Sequence, residues 1–348
     1  MRMLSFYLSA DDLFKTPLHR ASSARVKSHQ VQRDCVWSAT PTPFTAKGGV
    51  DVPSVHRMVA HHLDLGVSGL MLAGTCGEGP WLRERDRELL ARTAVEAARG
   101  KLTIAMQVSD NSWGRVLDNV EAVAALGVEL AVVAAPSHFI NGTTKRLVAH
   151  YAEVARRSPL PIGLYDRGNH SPYVVPESHL PELLSEPNIV VVKDSAQQPS
   201  RRQCYITARD ARPELKIYSG SEFDCDEYLE AGYDGLLLGG GIFNALMAQT
   251  IIKAVRAGDM PRARAAQARM NDLMYRVYGG TKIACWMTGL KELMVQLGVF
   301  SSNFNLFEYP LTPECLAQIK AAVSGSDGLG YREDLLVTRR SFTPLIAV

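Results

Sequence analysis

From Val36 onward the chain alternates between short apolar runs and longer stretches of helical period, and this alternation limits the fold more than any other feature. The runs are residues 36–39, 69–73, 102–108, 130–135, 162–165, 189–193, 215–219 and 235–238. The helical stretches are 52–65, 84–98, 115–126, 145–156, 176–184, 201–211, 222–231 and 243–257. The runs show little polar alternation, as expected of parallel strands covered by helices on the outside. Gly66, Gly100, Gly127 and Gly232 each stand just past a periodic stretch, where a left-handed cap suits glycine. Pro53, Pro176 and Pro181 stand at or near helix starts, where a missing N–H costs little.

Eight such pairs in strict order predict a (β/α)8 barrel of the TIM type. A doubly wound open sheet uses the same units but needs a glycine-rich dinucleotide turn after its first strand. Here that strand is followed by Thr40-Pro41-Thr42-Pro43-Phe44, which cannot serve. The other glycine run, Gly239-Gly240-Gly241-Ile242-Phe243-Asn244, has Asn where the third glycine is required. Further helical stretches at 260–278, 282–297 and 313–322 read as a C-terminal extension docked on the barrel. The expected organisation is a short N-terminal arm (1–34), the barrel (35–258), the helical extension (259–323) and a tail without period (324–348). The arm is expected to pack on the body or on a neighbouring subunit.

Composition excludes several functions. With 38 Lys+Arg against 36 Asp+Glu, the net charge is +2, which gives no electrostatic footprint for nucleic acid or an anionic membrane. No apolar run approaches the roughly 20 residues that span a bilayer, and no secretory signal core follows Arg2. Asp11 and Asp12 argue against an organelle transit peptide. The six cysteines are scattered, with no C-x-x-C pair and no histidine at metal spacing. They read as reduced thiols of a cytoplasmic protein without a metal site.

In a barrel of this kind, reactive groups stand at the C-terminal ends of the strands. Lys193 closes the run Ile189-Val190-Val191-Val192, so an inward lysine would rise from an apolar floor. Burial disfavours an ammonium, and a neutral amine is what attack on a ketone requires to form a Schiff base. The competing reading is a strand-end lysine that snorkels to solvent or pairs with Asp194. Tyr165 ends the neighbouring run, from which its phenol reaches the same mouth and can shuttle protons; otherwise it is a core tyrosine. Gly74-Thr75-Cys76-Gly77-Glu78-Gly79 places three glycines at a strand end, either as a nest of amides for a carboxylate or as a tight turn. Glu78 reads as structural and Cys76 as a neutral wall residue. His138 and His170 fall in loops facing the same mouth, as relay residues or as loop hydrogen-bonders.

Together these positions resemble the dihydrodipicolinate synthase / N-acetylneuraminate lyase family of class I pyruvate aldolases. The resemblance runs from Val36 to Ala322. It rests on Thr40-Pro41-Thr42-Pro43-Phe44, the 74–79 loop, Leu164-Tyr165-Asp166, Val192-Lys193-Asp194 and Ser219-Gly220-Ser221 in that order. It implies that Lys193 forms the imine with pyruvate or another 2-oxo acid and that Tyr165 relays protons. It also implies that Thr75 and Cys76 lie beside the substrate carboxylate, that Gly220, Ser221 and Glu222 hold the hydroxylated tail, and that Gly239 and Gly240 line the pyruvate pocket. No organic cofactor and no metal are implied, and the family is typically a homotetramer.

Three departures stand out. Asp166 replaces a frequent Asn, His170 stands where lysine-pathway synthases place an arginine, and Ser137-His138 stands where they place a tyrosine that enters a neighbouring subunit. The expected function is a lyase that makes or breaks a C–C bond between a 2-oxo acid and an aldehyde. The alternatives are a Schiff-base dehydratase of a 3-deoxy-2-oxo sugar acid and a silent barrel that binds a small acid.

Overall fold

The computed structural model describes residues 31–336, so the arm is visible only in its last four residues and the tail only up to Leu336. Eight strands form a closed parallel barrel in chain order: β1 (Cys35–Ala39), β2 (Gly69–Leu72), β3 (Thr103–Gln107), β4 (Leu130–Ala134), β5 (Ile162–Asp166), β6 (Ile189–Asp194), β7 (Lys216–Ser219) and β8 (Gly235–Leu238). The helices that follow them are α1 (Val52–Asp64), α2 (Glu84–Ala98), α3 (Trp113–Ala124), α4 (Thr144–Arg157), α5 (Leu180–Leu184), α6 (Pro199–Ala211), α7 (Cys225–Glu230) and α8 (Gly241–Arg256). The barrel and its C-terminal helices agree with the fold expected from the alternation.

Apolar strands make this architecture because each residue has a buried side to face. Val192 of β6, for example, packs outward beneath the helices, while Val191 joins the barrel interior with Trp37, Met71, Ala105, Val132 and Tyr218. The indole of Trp37 fills the barrel so closely that a Cβ on Gly69 would meet its ring at 2.7 Å, which explains a glycine within β2. At the lower end Val31 packs against this inner cluster, and Arg33 pairs with Asp234 at 3.0 Å. The last residues of the arm therefore stopper the barrel.

Local signals set the helix ends. Asp51, Ser112 and Thr143 cap α1, α3 and α4 by accepting from the amides of Ser54, Arg115 and Arg146. Gly66, Gly100, Gly127 and Gly232 all take left-handed φ. Some elements differ from the sequence reading. The stretch at 176–184 is a 3-10 turn (Glu177–His179) followed by the short α5, because Pro181 supplies no amide at the join. The extension comprises α9 (Met260–Tyr278), α10 (Trp286–Gln296) and α11 (Pro313–Ser324); α10 starts four residues later than its apolar period. The tail is not featureless at its start. A further turn, α12 (Tyr331–Asp334), buries Tyr331, Leu335 and Leu336 against the extension and α8.

Two buried histidines make the fold sensitive to acid. His62 donates from Nδ1 to the Met58 carbonyl at 2.8 Å and accepts at Nε2 from the Ser38 hydroxyl at 2.9 Å. His150 lies among Phe139 and Tyr151, with both ring nitrogens unpaired. Burial pushes each imidazole down to about 4. The unfolded chain protonates its histidines near 6.5, so between about pH 6.5 and 4 it binds protons that the native state does not. Stability therefore falls as pH drops through that window, by on the order of 3 kcal/mol for each histidine at its lower end. Urea unfolding at a series of pH values should show this slope, and His150→Phe should remove its share while remaining folded at pH 7. An unchanged slope in that variant contradicts the assignment.

Candidate active site

Lys193 and Val191 lie two apart on β6 and so share the inward face. β6 is in register with both neighbours there, with Lys193 opposite Tyr165 on β5 and Tyr218 on β7. The Lys193 side chain is 6% exposed, and its Nζ sits 4.4 Å from the centre of the Tyr165 ring. Asp194 points the other way. It accepts from the Tyr233 hydroxyl at 2.6 Å and from the Ala196 amide at 2.9 Å, so the pairing of Lys193 with Asp194 does not occur. Asp166 is also turned outward, against Arg201 at 2.6 Å and the Tyr205 hydroxyl. The acid at this departure from the family pattern thus has its countercharge behind the barrel.

Tyr165 is buried, and its hydroxyl is 3.4 Å from Thr75 Oγ1. Thr75 and Cys76 begin the loop after β2, which is folded tightly on itself. Ala73 and Glu78 have φ of 52° and 56°, in the left-handed region. A Cβ on Gly79 would sit 1.8 Å from the Ala73 carbonyl oxygen, and one on Gly77 would sit 2.7 Å from the Ala73 nitrogen. These two glycines serve the loop's own packing, which favours the tight turn of the two readings of the loop. The amides of Glu78 and Gly79 donate to the carbonyls of Thr75 and Gly74. Those of Thr75 and Cys76 donate to no carbonyl among the described residues.

The loop is anchored from below. Glu78 and Lys291 of α10 form a fully buried ion pair at 2.5 Å. Glu78 also accepts from the Leu306 amide, and Lys291 donates to the Phe304 carbonyl at 2.9 Å. Burial pushes the Lys291 amine down to about 8 against the pull of Glu78. The Thr40-Pro41-Thr42-Pro43-Phe44 segment supports the same point: Thr42 donates to the Gly77 carbonyl at 2.6 Å, and the Phe44 ring lies 4.4 Å from Lys291 Nζ.

The opposite wall comes from the loops after β7 and β8. A Cβ on Gly220 would lie 2.9 Å from Lys193 Cε, so this glycine leaves the lysine its space. Ser221 is buried and accepts from Gln197 Nε2 at 3.1 Å. One oxygen of Glu222 accepts from the Gly240 amide at 2.8 Å and from Asn244 at 3.1 Å, so the Gly240 amide is spent on Glu222 rather than presented to a ligand. Above Gly239, Cys76 Sγ and Glu222 Oε1 face one another; a Cβ there would meet them at 2.6 and 2.7 Å. Burial raises the Glu222 carboxyl above its usual range, against the donors from Gly240 and Asn244 and the charge of Lys193. Burial likewise pushes the Cys76 thiol up to about 12, which leaves it a neutral wall.

The two histidines lie apart from this cluster. His138 is exposed in an outer groove with Trp113 and Ile140, and His170 is exposed at the end of a 3-10 turn (Gly168–His170). Instead, a cavity of about 330 Å³ opens beside Tyr165 and Thr75, lined by Arg167, Gln107, Ser109 and Asp110 among others. Sequence reasoning passed over Arg167 and Gln107. The signal was available, since Gln107 ends β3 and Arg167 follows Tyr165 by two residues.

The family model described as the dihydrodipicolinate synthetase family matches residues 33–324. The 4-hydroxy-tetrahydrodipicolinate synthase of Stenotrophomonas maltophilia (strain K279a) is 30% identical over 200 residues, 58% of this chain and 66% of that protein, slightly under two thirds of its length. The protein of the same name from Mycolicibacterium paratuberculosis is 28% identical over 289 residues, 82% of this chain and 92% of the other. Among solved structures, dihydrodipicolinate synthase from Thermotoga maritima matches with a TM-score of 0.76 at 23% identity, covering 86% of this chain and 100% of that one. A prophage protein of the dihydrodipicolinic acid synthase family from E. coli K12, in complex with pyruvate, matches with a TM-score of 0.74 at 22% identity, over 84% and 98%. These two likenesses establish the shared fold.

The buried pair under the loop gives a direct stability test. Lys291→Met leaves the Glu78 carboxylate uncompensated and should cost about 3–5 kcal/mol in denaturant unfolding. The double variant Glu78→Gln with Lys291→Met should be less destabilised than Lys291→Met alone. A single variant within 1 kcal/mol of wild type contradicts the anchoring role.

Proposed function

The chain belongs to the dihydrodipicolinate synthetase family, and from that premise we propose that it is a Schiff-base-forming lyase acting on pyruvate or another 2-oxo acid and an aldehyde. The observation that carries this reading is the buried Lys193 Nζ over the Tyr165 ring, with no ion pair to a carboxylate among the described residues. In its neutral form the amine attacks C2 of the 2-oxo acid. The resulting carbinolamine loses water, with the Tyr165 hydroxyl giving a proton to the departing oxygen. The product is an iminium that draws electrons from the neighbouring carbons.

The substrate carboxylate is placed on the amides of Thr75 and Cys76, with the Thr75 hydroxyl beside it. Loss of a proton from C3 gives the enamine, whose carbon attacks the aldehyde carbonyl; the reverse path cleaves the bond. The cavity of about 330 Å³ next to Tyr165 offers room for the aldehyde. Arg167 and Gln107 on its wall favour a polar or acidic acceptor. The charge borne by Arg167 makes up for the arginine missing at His170.

Sodium borohydride with pyruvate should reduce the imine to a stable secondary amine, located on Lys193 by peptide mass mapping. Lys193→Ala should abolish the adduct, and Tyr165→Phe should slow its formation by on the order of 10²-fold. An adduct that persists in Lys193→Ala overturns the assignment of the amine.

A further inference from the structure

The chamber around Lys193 holds a second acid–base group besides Tyr165, and it approaches from the other side. Tyr165 stands on β5, its hydroxyl drawn toward Thr75 at 3.4 Å, on the side of the substrate carboxylate and the departing oxygen. Glu222 stands in the loop after β7, two residues beyond Gly220, whose missing Cβ leaves space for Lys193. Its carboxyl is asymmetric. Oε2 is held by the Gly240 amide at 2.8 Å, Asn244 Nδ2 at 3.1 Å and the Tyr278 hydroxyl at 3.5 Å. Oε1 faces the gap above Gly239, opposite the neutral Cys76 thiol. The Gly239 amide also acts on this carboxyl, and the charge of Lys193 is felt there. A carboxylate held chiefly through Oε2, with Oε1 at the mouth beside Gly239 and Cys76, can exchange a proton with what the lysine carries.

We infer that Glu222 takes and returns the proton at C3 of the imine on Lys193, leaving Tyr165 to the oxygen chemistry of imine formation. The inference rests on the Schiff-base reading above. In the forward step Glu222 Oε1 accepts the C3 proton. The C–H electron pair becomes the C2=C3 bond, and the C2=N pair settles on nitrogen, giving a neutral enamine and a carboxylic acid. The reverse step returns the proton to C3 and restores the iminium.

The surroundings raise the proton affinity of this carboxyl. The titratable groups around Glu222 are Lys193 from β6, Cys76 from the loop after β2, Cys225 from α7 and Tyr278 from α9. Burial raises both thiols and the phenol, so they stay neutral, and Lys193 is the charge that answers Glu222. Burial also raises Glu222 itself, toward the range in which a carboxyl both accepts and returns a proton.

Exchange of the methyl protons of pyruvate in D2O, followed by NMR, reads this step without an aldehyde. Glu222→Gln should slow the exchange by on the order of 10²-fold, while borohydride trapping of pyruvate on Lys193 stays within about threefold of wild type. Glu222→Asp should recover part of the rate. The wild-type exchange rate should fall toward acid with a midpoint above the usual 4.5 of a glutamic acid, and Glu222→Gln should lack that limb. Wild-type exchange in Glu222→Gln with trapping intact overturns the inference alone. Loss of trapping together with exchange in that variant also overturns it, assigning Glu222 to the shape of the pocket. Absence of trapping in the wild-type protein removes the Schiff-base reading and this inference with it.

Discussion

The register of β6 between β5 and β7 is the constraint on which the site depends. A strand alternates its side chains between two faces, so a slip of one residue would send Lys193 under the helices and bring Asp194 into the barrel. The pairing of Lys193 with Tyr165 on one side and Tyr218 on the other fixes the inward choice. With it come the phenol under Nζ, the glycine at 220 that makes room for the lysine, and the apolar floor of Val191 and Trp37.

Polar contacts outside the barrel protect that register. Asp194 is held by Tyr233 and Ala196, Asp166 by Arg201 and Tyr205, and buried Asp234 by Arg209 and the Ile217 amide. A buried carboxylate without partners is costly, so each of these residues resists being turned inward. The C-terminal extension takes part in the same way: Lys291 of α10 reaches under the loop of Thr75 and Cys76 and ties its shape to Glu78. The shape of the β2 loop and the inward residues of β5 and β6 are thereby set by contacts outside the mouth of the barrel.

Much of this was legible in the sequence, because the barrel is written in apolar periodicity and its site in strand ends. Lys193 after four apolar residues and Tyr165 one strand earlier needed only that rule. The purpose of the glycines was not legible. Gly77 and Gly79 fit an amide nest and a tight turn alike until their distance to Ala73 decides for the turn. Nor could spacing show that Glu222 consumes the Gly240 amide, since the two meet only through the closure of β7 on β8. His138 and His170 were placed at the mouth by loop order, but loop order does not determine side-chain direction, and both are exposed. The outward turn of Asp166 was not legible either, because its partner Arg201 lies 35 residues away, on α6.

The proposed chemistry turns on one inward lysine, Lys193, bonding covalently to a 2-oxo acid whose carboxylate lies on the loop after β2. A crystal structure of the protein soaked with pyruvate tests it most directly. Continuous density is expected from Lys193 Nζ to C2, with the carboxylate on the amides of Thr75 and Cys76. Pyruvate bound without that bond, or bonded to a different lysine, would contradict it.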